Sequence, residues 1–539
     1  MSEQEVGSRL PGRPRVFVRE ATGLTKELSL IDIFIYNTNN QNIGIGVLFI
    51  LLFVPAFYPG ASMLGGALIA GILALAHATT YALFAAAMPR SGGDYVYISR
   101  TLSPVLGFVS SFNWLVWLSV YIGIPAAYFG QYGLSSLFRM LAANAGEPDL
   151  MRFADFWQTP LGIFVAGTVL IVGFGAVFAL GTKLYFRIQN VTFLIATIAV
   201  AILGLIALVT PRETFVARFD EYVQAVGGVA NAFRVAQEAS GSQQPQPFDA
   251  YQTFLSLSLP LYIVLYSITS SIIGGEVKNA RRAQLFGMPG SVMYCTLWIL
   301  VLVAAFQKMV GYEGLAAIGA ADPAALGLAF TPTFVELAGS VVYRSLPLVV
   351  FLGIGFLLWT YVWLPINYLA STRILLAWSF DRLMPERLAY VSPRTHTPLI
   401  AILVVGILGE ICLALYAWKI VLASIVGIFG WIISFLLTAV AAIVFPYRRR
   451  ADFEASPVRW RLAGIPLMSI VGVVAVLSLL ICEVVFWLDP FVGLAYFPNV
   501  QALTVGVFVV GALLYWGTRM IQARRGIRIE YAFREIPPE

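Results

Sequence analysis

The chain has 539 residues, of which 59% are hydrophobic and 12% charged, with a formal net charge of +6. A soluble domain is about 45–50% apolar and ~25% charged, so the composition excludes a soluble enzyme and a disordered protein. Apolar runs of about twenty residues also exclude an outer-membrane barrel, whose strands alternate every second residue.

Residues 1–29 are polar, broken by Pro11-Gly12-Arg13-Pro14-Arg15, and read as a cytoplasmic tail without a cleavable signal. Apolar windows then predict twelve spans, near 30–57, 61–88, 105–137, 159–180, 190–210, 251–275, 290–310, 345–378, 398–418, 421–446, 463–488 and 500–521. A tight turn is expected near Trp418-Lys419, and a cytoplasmic C-terminal tail over 522–539. With both termini inside, twenty-six of the 34 lysines and arginines fall on the inner segments and eight on the outer ones. The positive-inside rule expects this bias, so the basic charge orients the protein and needs no nucleic acid to explain it. Multi-pass insertion in a cytoplasmic membrane follows, with the lipid bilayer as its solvent. The outer loop 211–250 carries Phe215, Phe219, Tyr222, Val223, Val226 and Phe233 at helical spacing. It reads either as an amphipathic surface helix or as a connector ending in a flexible stretch, Ser240–Pro247.

Span one is unusual. Asn37-Thr38-Asn39-Asn40-Gln41-Asn42 puts six consecutive polar side chains at membrane depth, followed by Gly44-Ile45-Gly46. Polar groups in hydrocarbon are costly unless paired or hydrated, and glycine weakens a helix by roughly 1 kcal/mol against alanine. One reading is a discontinuous helix whose free N–H groups face an anionic group of a substrate. The other is helix packing through small residues and interhelical amides. Span six repeats the pattern with Tyr262, Tyr266, Ser267, Thr269, Ser270, Ser271, Gly274 and Gly275. Spans one and six open two five-span halves. Polar, glycine-interrupted segments at matching places in two halves point to a transporter site.

Three stretches together resemble the amino acid–polyamine–organocation superfamily of permeases. The first is Gly44-x-Gly46 with Met88-Pro-Arg-Ser-Gly-Gly-Asp94-Tyr-Val-Tyr-Ile-Ser-Arg100. The second, Gly275-Glu276-Val-Lys278-Asn279-Ala280-Arg281-Arg282, is similar to the family's acidic, Lys-Asn-Pro-x-Arg pattern, with Ala280 in place of the proline. The third runs from Ser371-Thr-Arg373 through Phe380-Asp381-Arg382-Leu-Met-Pro385 to Ser392-Pro393-Arg394-Thr-His-Thr397-Pro398. The resemblance covers roughly residues 25–445 and implies an all-α integral membrane protein of the leucine-transporter type. In that fold two inverted five-helix repeats, here 30–210 and 251–446, are followed by two C-terminal helices, here 463–521. Helices one and six are broken, and access to the substrate between them alternates.

Carried over by motif, the resemblance places the first break at Gln41, Asn42, Gly44, Ile45 and Gly46, which would meet a carboxylate. It places the second at Leu265, Tyr266 and Ser267, whose carbonyls would meet an ammonium. Tyr262 would form part of an aromatic gate, and Trp117, Tyr121 and Asn367 would line the site. The amides before the first break depart from the small residues usual there, which favours a polar or amide-bearing solute over a small apolar amino acid. Some members carry a lysine in helix five in place of sodium; here that position falls near Ala196. The hydroxyls a sodium site wants from helix eight fall on Val362 and Trp363, with Thr360 nearby. Proton coupling or exchange is therefore expected ahead of sodium.

The ionisable residues at membrane depth are His77, Glu410 and Glu483, which read as hydrogen-bonded packing groups ahead of a proton relay. Glu276, Lys278, Arg281 and Arg282 read either as a gate network with Arg100 or Asp94 or as ordinary interfacial charges. No nucleotide loop, catalytic constellation or His-rich metal site occurs, so neither an enzyme nor a bound cofactor is expected. The sequence predicts a secondary transporter of amino acids or related amines. The rivals are a non-transporting sensor on the same fold and a carrier of another polar solute.

Overall fold

The computed structural model describes residues 24–241, 247–419 and 427–534. Most of the N-terminal tail, the core of the 240–247 stretch, the start of the tenth span and the last five residues lie outside them. Among the described residues, twelve helices are long and apolar enough to cross a membrane: Leu30–Phe57, Met63–Ala87, Pro104–Ala145, Pro160–Leu180, Thr182–Val209, Ala250–Ser271, Ala280–Val310, Leu346–Phe380, Leu399–Ala417, Ile428–Arg448, Leu467–Leu488 and Pro498–Arg524. These are spans one to twelve below.

Burial separates them by role. Spans one and six are hidden from lipid on nearly every face, whereas spans four, five, nine and twelve expose long apolar stripes. Leu161, Val169, Val191, Leu205, Leu403 and Leu513 stand outward there, as lipid-facing side chains do. Polar breaks sit in the covered spans, where protein can satisfy a freed backbone.

Four spans depart from regular helix. Span one divides into Leu30–Gln41 and Ile43–Phe57 at one residue, Asn42, whose φ is 52°. Span six is α-helical only to Val264, then runs through turns and short tight helices to Glu276. Span eight divides into Leu346–Tyr361 and Trp363–Phe380 beside Pro365, which has no N–H to give the preceding turn. Span three continues past its expected end, through a wide turn at Phe129–Leu134, to Ala145.

The first and last described residues lie at one end of the bundle, called the termini end below, where Glu27 N–H donates to the carbonyl of Glu276 and Arg100 reaches the carbonyl of Ala532. The opposite end carries the short helices Arg212–Ala225, Ala232–Ser240, Tyr312–Ala320 and Phe334–Val342. Phe215, Phe219, Tyr222, Val223, Val226 and Phe233 are all buried there. Of the two readings of this loop, the amphipathic helix is therefore the one that forms. Its apolar face closes over the bundle.

Candidate functional site

The break in span one is short and capped from within the chain. Asn42 N–H donates to the carbonyls of Thr38 and Asn39, closing the first half-helix. Its side-chain Oδ1 accepts the Ile45 N–H at 3.1 Å, starting the second. A side-chain oxygen on a first-turn N–H is the normal N-cap device. The two glycines serve contact with other helices. A Cβ on Gly44 would stand 2.5 Å from Trp359 Cβ of span eight, and one on Gly46 would fall on the Ile263 side chain of span six.

The break in span six is held by the amides of span one. Asn37 Nδ2 donates to Ser270 Oγ at 2.9 Å and Asn37 Oδ1 accepts the Ser270 N–H at 3.1 Å. Asn40 Nδ2 donates to the Tyr266 carbonyl at 3.0 Å and also to Thr269 Oγ1. Gln284 of span seven closes the group, giving Nε2 to the Ser270 carbonyl and accepting from Ser270 Oγ. Each unpaired backbone group here would cost about 1–3 kcal/mol. The polar run of span one thus replaces the helix bonds that span six lacks.

Between the breaks lies a small cavity of about 10 Å³, close to the space of one water. Asn40, Tyr121, Tyr266, Trp363, Asn367 and Trp431 line it. All six are buried and none is charged. Trp363 Nε1 donates to the Asn40 carbonyl at 2.7 Å, and Asn367 Nδ2 to the Tyr121 carbonyl at 2.9 Å. The rings of Tyr266 and Tyr121 stand 4.7 and 5.1 Å from Trp431. Tyr266 Oη and Trp431 Nε1 have no hydrogen-bond partner.

The expected site residues divide accordingly. Tyr121, Tyr266 and Asn367 meet at the cavity. Tyr262 stacks one layer away, its ring 5.6 Å from Trp363 and 6.1 Å from Phe49. Asn42, Gly44, Ile45 and Gly46 form the cap and packing seam just described. Leu265 ends the helical ladder of span six, Ser267 Oγ is buried without a partner, and Gln41 Nε2 bonds back to the Asn37 carbonyl. Trp117 is turned away from the cavity: its Nε1 donates to Asn113, and its ring fills the space at Gly427. Asn40, Trp363 and Trp431 were not expected at the site. Asn40 belongs to the polar run that marked span one, whereas an indole in an apolar span carries no periodic signal.

Both ends of the bundle are sealed. At the termini end Arg100 pairs with Asp381 at 2.6 Å, with Tyr95 Oη donating to the same carboxylate. Arg373 grips Glu276 through two parallel bonds of 2.7 and 3.0 Å. The expected network is corrected here. Glu276 pairs with Arg373 rather than Arg100, while Lys278, Arg281 and Arg282 are exposed. At the opposite end Arg139 grips Glu336, which also accepts from Tyr222 Oη and the Thr333 N–H. Burial opposes ionisation of Glu336, but the Arg139 guanidinium and these donors outweigh it and hold its carboxyl below the usual range.

A second cavity of about 10 Å³ lies between spans one, five and eight, lined by Asn39, Gln189, Thr192, Tyr361 and Val362 among others. Thr360 Oγ1 is turned onto its own helix, donating to Leu357, and the Ala196 carbonyl accepts from Trp359. Glu410 is bonded to Thr168 of span four, away from both cavities.

A family model described as amino acid permease matches residues 28–517. The chain is 25% identical to the methylthioribose transporter of Bacillus subtilis, over 84% of this chain and 87% of that protein. It is 22% identical to the branched-chain amino acid permease BcaP of the same organism, over 85% and 88%. It is 23% identical to cationic amino acid transporter 4 of Mus musculus, over 81% of this chain and 62% of that protein.

Proposed function

The chain belongs to the amino acid permease family and is a multi-pass membrane transporter, and from that premise we propose its mode of transport and its cargo. It is a secondary transporter that moves amino acids or related amines by alternating access, with the solute bound between the broken spans one and six. The termini end is cytoplasmic, as the basic charge of its segments requires. The observation that carries the reading is the cavity flanked by two helix breaks and closed at each end by buried ion pairs. Opening one seal while the other holds would expose the cavity to one side at a time.

The walls limit the cargo. Aromatic faces stack on a flat or apolar body and attract an ammonium, while the Tyr266 O–H and the Trp431 N–H, both without a partner, want a hydrogen-bonding group. Ile43 and Gly44 N–H would be offered to a carboxylate, beside the Ile45 N–H that the Asn42 side chain takes. Gly44, Ile45 and Gly46 would then act through the shape of this break, and Gln41, Leu265, Tyr266 and Ser267 through their carbonyls. A carrier of an uncharged polar solute is the second reading. It is supported by the lack of charge on the cavity wall and by the likeness to a methylthioribose transporter.

The test is thermal stabilisation and vesicle uptake with L-leucine, L-arginine, putrescine and methylthioribose, each with and without sodium. A ligand at 100 times its dissociation constant stabilises by about 2.7 kcal/mol. Saturable uptake accelerated by solute on the far side is expected for the amino acids or the amine. A response to methylthioribose alone would move the assignment to the second reading. Binding without flux would make the chain a sensor, and non-saturating flux would reject alternating access.

A further inference from the structure

Three of the carboxylates buried at the ends of the bundle have an arginine: Asp381 has Arg100, Glu276 has Arg373 and Glu336 has Arg139. Asp94 has none. It opens the short helix Asp94–Thr101 that follows span two, and it is 2% exposed. Its Oδ2 accepts from Tyr81 Oη at 2.5 Å and from Trp114 Nε1 at 2.9 Å, while Oδ1 makes no hydrogen bond.

The groups that face it are few. Span two gives Tyr81, with His77 one turn along, its ring 4.9 Å from that of Tyr81. Span three gives Trp114, and span ten gives the Thr438 hydroxyl. On its own helix Tyr97 acts on Tyr81, and Arg100 is turned to Asp381. Among the described residues no cation pairs with the carboxyl. An ionised carboxylate in a dry site without counter-charge is strongly disfavoured. Burial pushes Asp94 up to about 6, although the bonds from Tyr81 and Trp114 oppose the shift.

Asp94 is also tied to the seal. Two residues before it, Gly92 N–H donates to the Ile272 carbonyl at 2.9 Å, and Ser91 bridges Ile273, so this loop is bonded to the broken end of span six. Gly93 lies against Ser271 and Ile272 so closely that a Cβ would stand 3.0 Å from Ile272. Parting the termini-end seal would separate these two segments and admit water to the carboxyl.

We infer that Asp94 is a proton-binding site coupled to the termini-end seal: under acid conditions it holds a proton while the seal is closed and releases it when the seal opens. On opening, the carboxyl O–H bond breaks and the proton passes to water on that side, leaving Tyr81 and Trp114 to donate to the carboxylate. On closing, the reverse transfer restores the neutral acid. The inference rests on the alternating-access reading and adds a proton-linked step to it. The sign follows from linkage: the closed state holds the higher pKa, so acid favours closure. The window runs from the usual carboxylate range, about 4, to about 6. Within it, each pH unit changes the ratio of closed to open by up to about tenfold.

The experiment needs no substrate, so its result stands apart from the identity of the cargo. Hydrogen exchange of residues 88–101 and 268–277, corrected for intrinsic rates, is followed across that window in purified protein and in Asp94→Asn. Infrared titration reads the protonated carboxyl in the same samples. Protection in the native chain should fall as pH rises, with the carboxyl band vanishing near pH 6. Asp94→Asn, fixed in the neutral form, should stay protected throughout and lack the band. Tyr81→Phe, which removes a donor to the ionised form, should move both transitions to higher pH. An unvarying native protection would overturn the inference. So would an unchanged pH slope in Asp94→Asn, which would assign the titration to His77 instead.

Discussion

Asn37 holds Ser270 by both ends of its amide, donating a hydrogen bond from Nδ2 to the hydroxyl and accepting one at Oδ1 from the backbone N–H, 233 residues away in the chain. This pair ties the half of span one before its break to the unwound part of span six. Asn37→Ala should lower the thermal midpoint in detergent, at a cost of about 1–3 kcal/mol for the stranded N–H. Asn37→Asp keeps the acceptor but buries a carboxyl without counter-charge, so it should cost at least as much at neutral pH and recover part of the loss in acid. Equal midpoints for Asn37→Ala and the native chain would show that water replaces the amide at no cost.

The glycine pair of span one is subject to a packing test. A methyl on Gly46 falls on Ile263 Cδ1 and Cγ1, both of which Ile263→Ala removes. Gly46→Ala alone should lose uptake and stability together. The double variant Gly46→Ala/Ile263→Ala should regain most of the stability, with coupling of the size seen for residues in contact, about 0.5–3 kcal/mol. Gly44→Leu should abolish uptake, because the first added carbon already meets Trp359 at 2.5 Å. Stability restored in the double variant with uptake still absent would assign Gly46 a role in the solute site beyond packing.

Much of this architecture is legible in the chain. A span must satisfy its own backbone in lipid, so length, apolarity and the distribution of arginine and lysine suffice for the count of twelve. The two breaks are legible for the same reason, since Asn37–Asn42 and Ser267–Ser271 are too polar to face lipid. What the polar run does is not legible. Whether Asn40 reads a solute or the Tyr266 carbonyl depends on which span lies opposite, a fact of tertiary structure. The same holds for Trp117 and Trp431. Both are indoles in apolar helices, and only the packing of span three on span ten brings Trp431 to the cavity and turns Trp117 away. Partner choice among the charges was likewise hidden, because Arg373 and Glu276 lie 97 positions apart.

Acid should loosen the end opposite the termini. Glu336 is held below the usual carboxylate range. A depressed pKa contributes stability that is full above the unfolded value, about 4.3, and is lost as pH falls through the folded one. The thermal midpoint should therefore drop below about pH 4 through this pair. Glu336→Gln should lower it at neutral pH by about 3–5 kcal/mol, the usual cost of stranding one member of a buried pair. It should also flatten the acid limb. The comparison of native and variant midpoints from neutral to acid pH decides the matter, and parallel curves would remove Glu336 from the acid response.

Tyr266 and Trp431 offer the clearest separation of binding from folding. Both line the central cavity and both carry a polar hydrogen without a partner. Tyr266→Phe removes a hydroxyl that bonds nothing in the closed, empty site, so folding loses no hydrogen bond and the thermal midpoint should hold or rise. Trp431→Phe likewise deletes an unpaired N–H, at the cost of some ring contact with Tyr121 and Tyr266. A bound solute that accepts from these groups loses those bonds in the variants. Its dissociation constant should then rise about tenfold, or 1.4 kcal/mol, for each. Isothermal titration with whichever solute stabilises the native chain measures this directly. A large fall in midpoint with unchanged affinity would mean that the two groups bond within the protein and that the solute lies elsewhere.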